Sequence, residues 1–114
     1  MDKLKNPREH KEQVAIINKL KREGYLPFAV PNGFMAEPRV KKMFKDEGLV
    51  AGWPDFGIPI KGGKIIWVEM KVRSGGRLSP AQIDIHEKLE ALGHTVIVGY
   101  GAKDAWNKLI EIGI

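Results

Sequence analysis

The sequence predicts an α/β domain: a mixed β-sheet flanked by helices on both faces, in the order α-β-α-β-β-α-β-α. Three observations predict it. Apolar residues recur at helical spacing in four segments, most of them opened by a cap or a proline and closed by glycine. Between these segments lie short β-prone runs bounded by Gly and Pro, two of which meet across Lys61-Gly62-Gly63. The chain also has no internal repeat, low-complexity tract or linker, and its 114 residues form one domain, 1–114, without room for a second core.

The first helix opens at Asn6-Pro7-Arg8-Glu9, where Asn6 can cap, Pro7 suits the first helical position and Glu9 can reach back. Val14, Ile17 and Leu20, with Ile16 beside them, make its apolar stripe, and Gly24 ends it. Residues 25–30 read as a strand in which Pro27 marks an edge or an end, and Asn32-Gly33 as a turn. A short helix over residues 37–47 would bury Val40, Met43 and Phe44, leaving Lys41, Lys42 and Lys45 on the other side, facing either solvent or phosphate. After the strands at 55–60 and 64–71, Ser79-Pro80-Ala81-Gln82 is a capping box. It opens a helix to about Leu92 with Ile83, Ile85, His86, Leu89 and Leu92 as its stripe. Residues 95–100 read as a central strand, and residues 102–112 as a last helix with Trp106, Leu109 and Ile110 facing inward.

Composition narrows the function classes. The absence of cysteine excludes disulfides and thiolate metal sites and fits a reducing cytosol. The longest apolar runs, such as Ile65-Ile66-Trp67-Val68, are far too short to span a bilayer, and Met1 to Pro7 lacks the apolar core of a signal peptide. A net charge of +5 favours a polyanionic partner, of which nucleic acid is the usual one. Charge alone is weak ground, because many basic proteins of this size bind nothing anionic.

The central hairpin carries the chemistry. On residues 64–71, Ile66, Val68 and Met70 share one face, and Ile65, Trp67, Glu69 and Lys71 the other. A two-residue Gly62-Gly63 turn would pair Asp55 with Met70 and send Asp55 away from Glu69. A three-residue Lys61-Gly62-Gly63 loop would pair Asp55 with Glu69 and bring the two acids together. Two carboxylates about 4 Å apart repel by roughly 4 kcal/mol at an effective dielectric near 20, so they must share a proton, pair with a cation or bind metal. Lys71 as a structural ion-pair partner is the plain reading. Oxygen ligands without cysteine or clustered histidine point instead to Mg²⁺ or Mn²⁺. Lys71 would then orient or deprotonate the attacking water, or stabilise the charged phosphate.

Gly52-Trp53-Pro54-Asp55, Glu69-Met70-Lys71 and Ser79-Pro80-Ala81-Gln82, after a helix carrying Glu12 and the Asn32-Gly33 turn, resemble the PD-(D/E)xK nuclease superfamily. Within it they are most similar to the virus-type replication-repair nuclease (VRR-NUC) domain, over nearly the whole chain. The resemblance implies a restriction-endonuclease-like sheet, with Asp55, Glu69 and the main-chain carbonyl of Met70 as metal ligands. It implies Lys71 as the catalytic lysine, Glu12 as an outer acid reaching metal directly or through water, and Gln82 as the group holding the lysine or the nucleophilic water. Gln82 is also explained by the cap alone. Asn32, Lys41, Lys42, Lys45, Arg73 and Arg77 are candidate nucleic-acid contacts. His10, His86 and His94 do not cluster and read as structural or surface residues; Trp53 either packs under Pro54 or stacks on a base.

Stand-alone members of the resembled family act as homodimers on branched DNA. The expectation is therefore a cytoplasmic, metal-dependent, structure-selective DNA endonuclease of Holliday junction resolvase type, from a bacterial or phage-infected cell. A monomeric flap or single-strand nuclease is the alternative within the class. A non-catalytic nucleic-acid-binding module, its acids merely paired with Lys71, is the alternative outside it.

Overall fold

The computed structural model describes residues 6–31, 37–73 and 75–114. The Asn32-Gly33 turn, with Phe34 and Met35, lies outside them. The elements are α1 (Pro7–Arg22), β1 (Phe28–Ala29), α2 (Pro38–Asp46), β2 (Phe56–Ile60), β3 (Lys64–Lys71), α3 (Pro80–Ala91), β4 (Thr95–Tyr100) and α4 (Ala102–Glu111). The strands form one mixed sheet in the order β1-β2-β3-β4. β1 and β2 are antiparallel, as are β2 and β3, whereas β3 and β4 run parallel across the α3 crossover. The predicted order and class both hold. No helix among the described residues is long and apolar enough to cross a membrane.

Strand alternation divides the sheet into two unlike faces. Ile66, Val68 and Met70 of β3 join Ile16 and Leu20 of α1 and Ala105 and Leu109 of α4 in one buried core. Phe56 and Ile58 of β2 and Ile97 of β4 complete it. The opposite face of β3 carries Trp67 and Glu69 and is met by α3, whose buried residues are His86 and Leu89. On that face Trp67 packs edge-on against Phe28 and Trp53, with ring centroids 5.8 and 5.4 Å apart. Trp53 is thus a packing residue.

The caps form as their residues require. The Asn6 side chain accepts a hydrogen bond from the Arg8 amide, and Ser79 and Gln82 complete a reciprocal capping box on α3. The β2–β3 connection is the three-residue loop: Phe56 pairs with Val68 and Ile60 with Lys64, leaving Lys61-Gly62-Gly63 unpaired. Gly99 permits a close approach, since a Cβ there would collide with Ala105 of α4.

Several expectations are corrected. Only Phe28–Ala29 of the expected 25–30 strand pairs, because Pro27 has no amide to donate and the strand is an edge. β4 is an edge strand as well; its β-branched composition reflects cover by α4 on one face and α3 on the other, not two strand neighbours. α1 buries Ile16 and Leu20 rather than Val14, which is 44% exposed. α2 forms as an amphipathic helix, yet none of its residues is buried, and Met43 and Phe44 are exposed because it packs on no other described element. Ile83 and Leu92 of α3, and Ile110 of α4, likewise point outward.

Replacing Gly99 by Val drives two methyl groups into Ala105 and forces α4 off the sheet. The expected loss is about 1–3 kcal/mol, read as a lower urea midpoint at unchanged slope.

Candidate active site

Extending the hairpin register by one pair places Asp55 opposite Glu69. Asp55 occupies a bend just before β2, held there by its own carbonyl, which accepts the Val30 amide at 2.8 Å. Its Oδ2 accepts the Met70 amide at 2.7 Å, which ties the acid to the backbone between Glu69 and Lys71. Gly52, at φ +96°, lets the preceding loop lie against the first turn of α3; a Cβ there would collide with the Ala81 carbonyl. Two elements distant in sequence thus converge on one carboxylate pair.

Glu69 is the buried member, 2% exposed. Gln82 Nε2 donates to its Oε2 at 3.1 Å, while Gln82 Oε1 accepts the Ser79 amide at 2.8 Å. The capping residue and the site residue are therefore one and the same, with each end of the amide assigned to one task. Lys71 Nζ stands 4.0 Å from Glu69 Oε2, and its side chain is only 11% exposed. Glu69 Oε1 accepts no hydrogen bond within the protein. Burial pushes the Glu69 carboxyl up to about 7; His86 opposes the rise, the adjacent Asp55 adds to it, and Lys71 opposes it.

His86, read from the sequence as structural or surface, lies in this site. It is 4% exposed, with Nε2 3.6 Å from Glu69 Oε1. A signal for it was present. Gln82 and His86 are one helical turn apart, so a helix that turns Gln82 toward Glu69 turns His86 there too.

Glu12 serves a different contact. Its Oε1 accepts the Ala102 amide at 2.7 Å, at the start of α4, and both its oxygens meet Arg73 Nη2 at 3.1 and 3.3 Å. The Ala102 amide holds its carboxyl below the usual range; burial opposes this and Arg73 reinforces it. α4 has glycine at its N-cap and no side-chain cap of its own, so Glu12 satisfies an amide the helix leaves open. Arg73, a candidate nucleic-acid contact, is the partner of Glu12 and remains 71% exposed. Lys42 pairs with Asp46 at 2.9 Å, Lys41 is partly buried, and Lys45 and Arg77 are exposed. Asn32 lies outside the described residues.

No group of three or more His, Cys, Asp or Glu side chains with metal-ligand placement occurs among the described residues. Two carboxylates, Asp55 and Glu69, remain. This all-oxygen donor set fits a hard divalent cation that keeps several of its waters.

The raised Glu69 carboxyl has a consequence for stability. Between an ordinary 4.5 and about 7, the folded protein holds a proton that the unfolded chain has released. The contribution of this group to stability is therefore fully present below about pH 4.5 and is lost as pH rises through about 7. Denaturant titrations of metal-free protein at pH 5 and 8 should show this fall, and Glu69→Gln should flatten it.

The chain matches no family model and no curated relative. It is similar in structure to a solved "VRR_NUC domain protein", with a TM-score of 0.76 and 24% identity, over 95% of this chain and 89% of that one. A second solved structure, "VRR_NUC domain", aligns with a TM-score of 0.70 and 24% identity, over 96% of this chain and 100% of that one. The protein has the fold of these VRR_NUC domains along nearly its entire length.

Proposed function

We propose that this domain is a metal-dependent, structure-selective DNA endonuclease of Holliday junction resolvase type, acting as a homodimer on branched DNA. One observation carries the reading: Asp55 and Glu69 meet across the three-residue loop, with Lys71 beside them. The shared fold with VRR_NUC domains supports the same class.

Asp55 and Glu69 bind Mg²⁺ or Mn²⁺, with the Met70 carbonyl as a further ligand. When bound, such an ion polarises a phosphate oxygen and lowers the pKa of a coordinated water. Lys71 places a positive charge beside the scissile phosphate and orients the attacking water. Gln82 keeps the Glu69 carboxylate in one rotamer through its bond to Oε2. Glu12 orders the nearby chain through Arg73 and α4, and would reach a metal only through water. The exposed cations of α2 and Arg77 draw in the phosphate backbone. Their contribution weakens with salt, because it depends on displaced counterions.

The test is incubation with labelled four-way, flapped and linear DNA in Mg²⁺ or Mn²⁺, with a solution mass measurement alongside. Paired cuts across a junction by a dimer are expected. Flap cuts by a monomer would replace the resolvase reading with a flap nuclease. No cleavage of any substrate by folded protein would leave a binding module. Glu69→Ala and Lys71→Ala should each lower cleavage at least 100-fold while junction affinity changes less than about threefold, since the basic faces carry the affinity. Wild-type cleavage by either variant would sink the mechanism.

A further inference from the structure

Glu69 Oε1 and His86 Nε2 are both buried, and neither has a hydrogen-bond partner among the described residues. They face each other at 3.6 Å, slightly beyond hydrogen-bonding distance. Two unpaired polar atoms buried side by side are costly to fold, and each is the other's nearest remedy. The histidine sits one turn beyond Gln82 on α3, so a single helix face turns two polar side chains toward one carboxylate: Gln82 Nε2 donates to Oε2 at 3.1 Å, and His86 Nε2 stands 3.6 Å from Oε1. Among the described residues, Trp67 Nε1 is also buried without a partner. It lies in the aromatic cluster with Phe28 and Trp53, away from the carboxylate pair's hydrogen bonds.

We infer that His86 is a positioning residue: its Nε2–H, together with the Gln82 amide, clamps the Glu69 carboxylate from the α3 side. The clamp fixes the carboxylate plane so that the remaining lone pairs point toward Asp55. This rests on the proposed metal-binding role of Glu69, and extends it to a residue outside the acid–lysine set. Ordering both oxygens in advance removes a rotamer search that an exposed glutamate must pay on binding a cation. Residues that hydrogen-bond a ligating carboxylate in this way typically change metal affinity by about 10–100-fold when removed.

Three proteins decide the matter: wild type, His86→Leu and His86→Gln. Glutamine sets an amide Nε2 near the place of the imidazole Nε2, whereas leucine fills the space without a donor. Calorimetric titration with Mn²⁺ should give about 10–100-fold weaker binding for the leucine variant and recovery to within about threefold for glutamine. Thermal melting of the metal-free proteins checks that each variant is folded at the titration temperature. Equal Mn²⁺ affinity in all three would overturn the proposal, as would equal losses in the leucine and glutamine variants. A second readout needs no metal. Long-range ¹H–¹⁵N spectra of wild type should place a proton on His86 Nε2; a bare Nε2 would overturn the clamp. If wild type takes up no Mn²⁺, the metal reading fails on its own and the spectra still decide for or against the clamp.

Discussion

A carboxylate removed from water at the end of β3 is the constraint on which the rest of this structure depends. Burying a charge without compensation is prohibitive, so a chain that buries Glu69 must surround it with donors, a cation or a proton. The domain supplies some of each. Gln82 donates to one oxygen, Lys71 stands near that same oxygen, and the raised pKa leaves a proton close at hand. Among the described residues the other oxygen, Oε1, has no hydrogen-bond partner and faces His86 at 3.6 Å.

The sheet separates the stability of the domain from its chemistry. One face of β3 gives Met70, Val68 and Ile66 to the core with α1 and α4, and the buried cluster there is apolar. The other face carries Glu69 and Lys71 under α3. Because neighbouring residues of a strand point to opposite faces, Met70 anchors the backbone in the core while the residues on either side of it project into the site. The Met70 amide then serves the site as well, by holding Asp55. The rigidity needed to keep two acids together is thus borrowed from the apolar face through a single residue.

Glu12 links the two ends of the chain. It accepts an amide at the start of α4 and pairs with Arg73 just beyond β3, so α1, α4 and the strand end share one carboxylate. Gly101 leaves room for this contact, since a Cβ there would crowd both Glu12 and Arg73. The resemblance assigns Glu12 to the outer edge of a metal site. In this structure its oxygens are already engaged, and any such role would require Arg73 to give way or water to intervene.

What was legible in the sequence was local or periodic. The Asn6 cap, the Ser79–Gln82 capping box, the bounds of β3 and the shared face of Glu69 and Lys71 all follow from spacing, because capping and backbone alternation are set by a few adjacent residues. The acid pair followed from them as a conditional, and the register satisfied the condition. Tertiary packing decided the rest. It left Met43 and Phe44 of α2 exposed, placed β4 at an edge despite its composition, and turned His86 from a stripe residue into a neighbour of Glu69. Periodicity says which residues share a helix face, but not which partner that face will meet. For α3 the partner was a buried carboxylate, and only the fold could bring the two together.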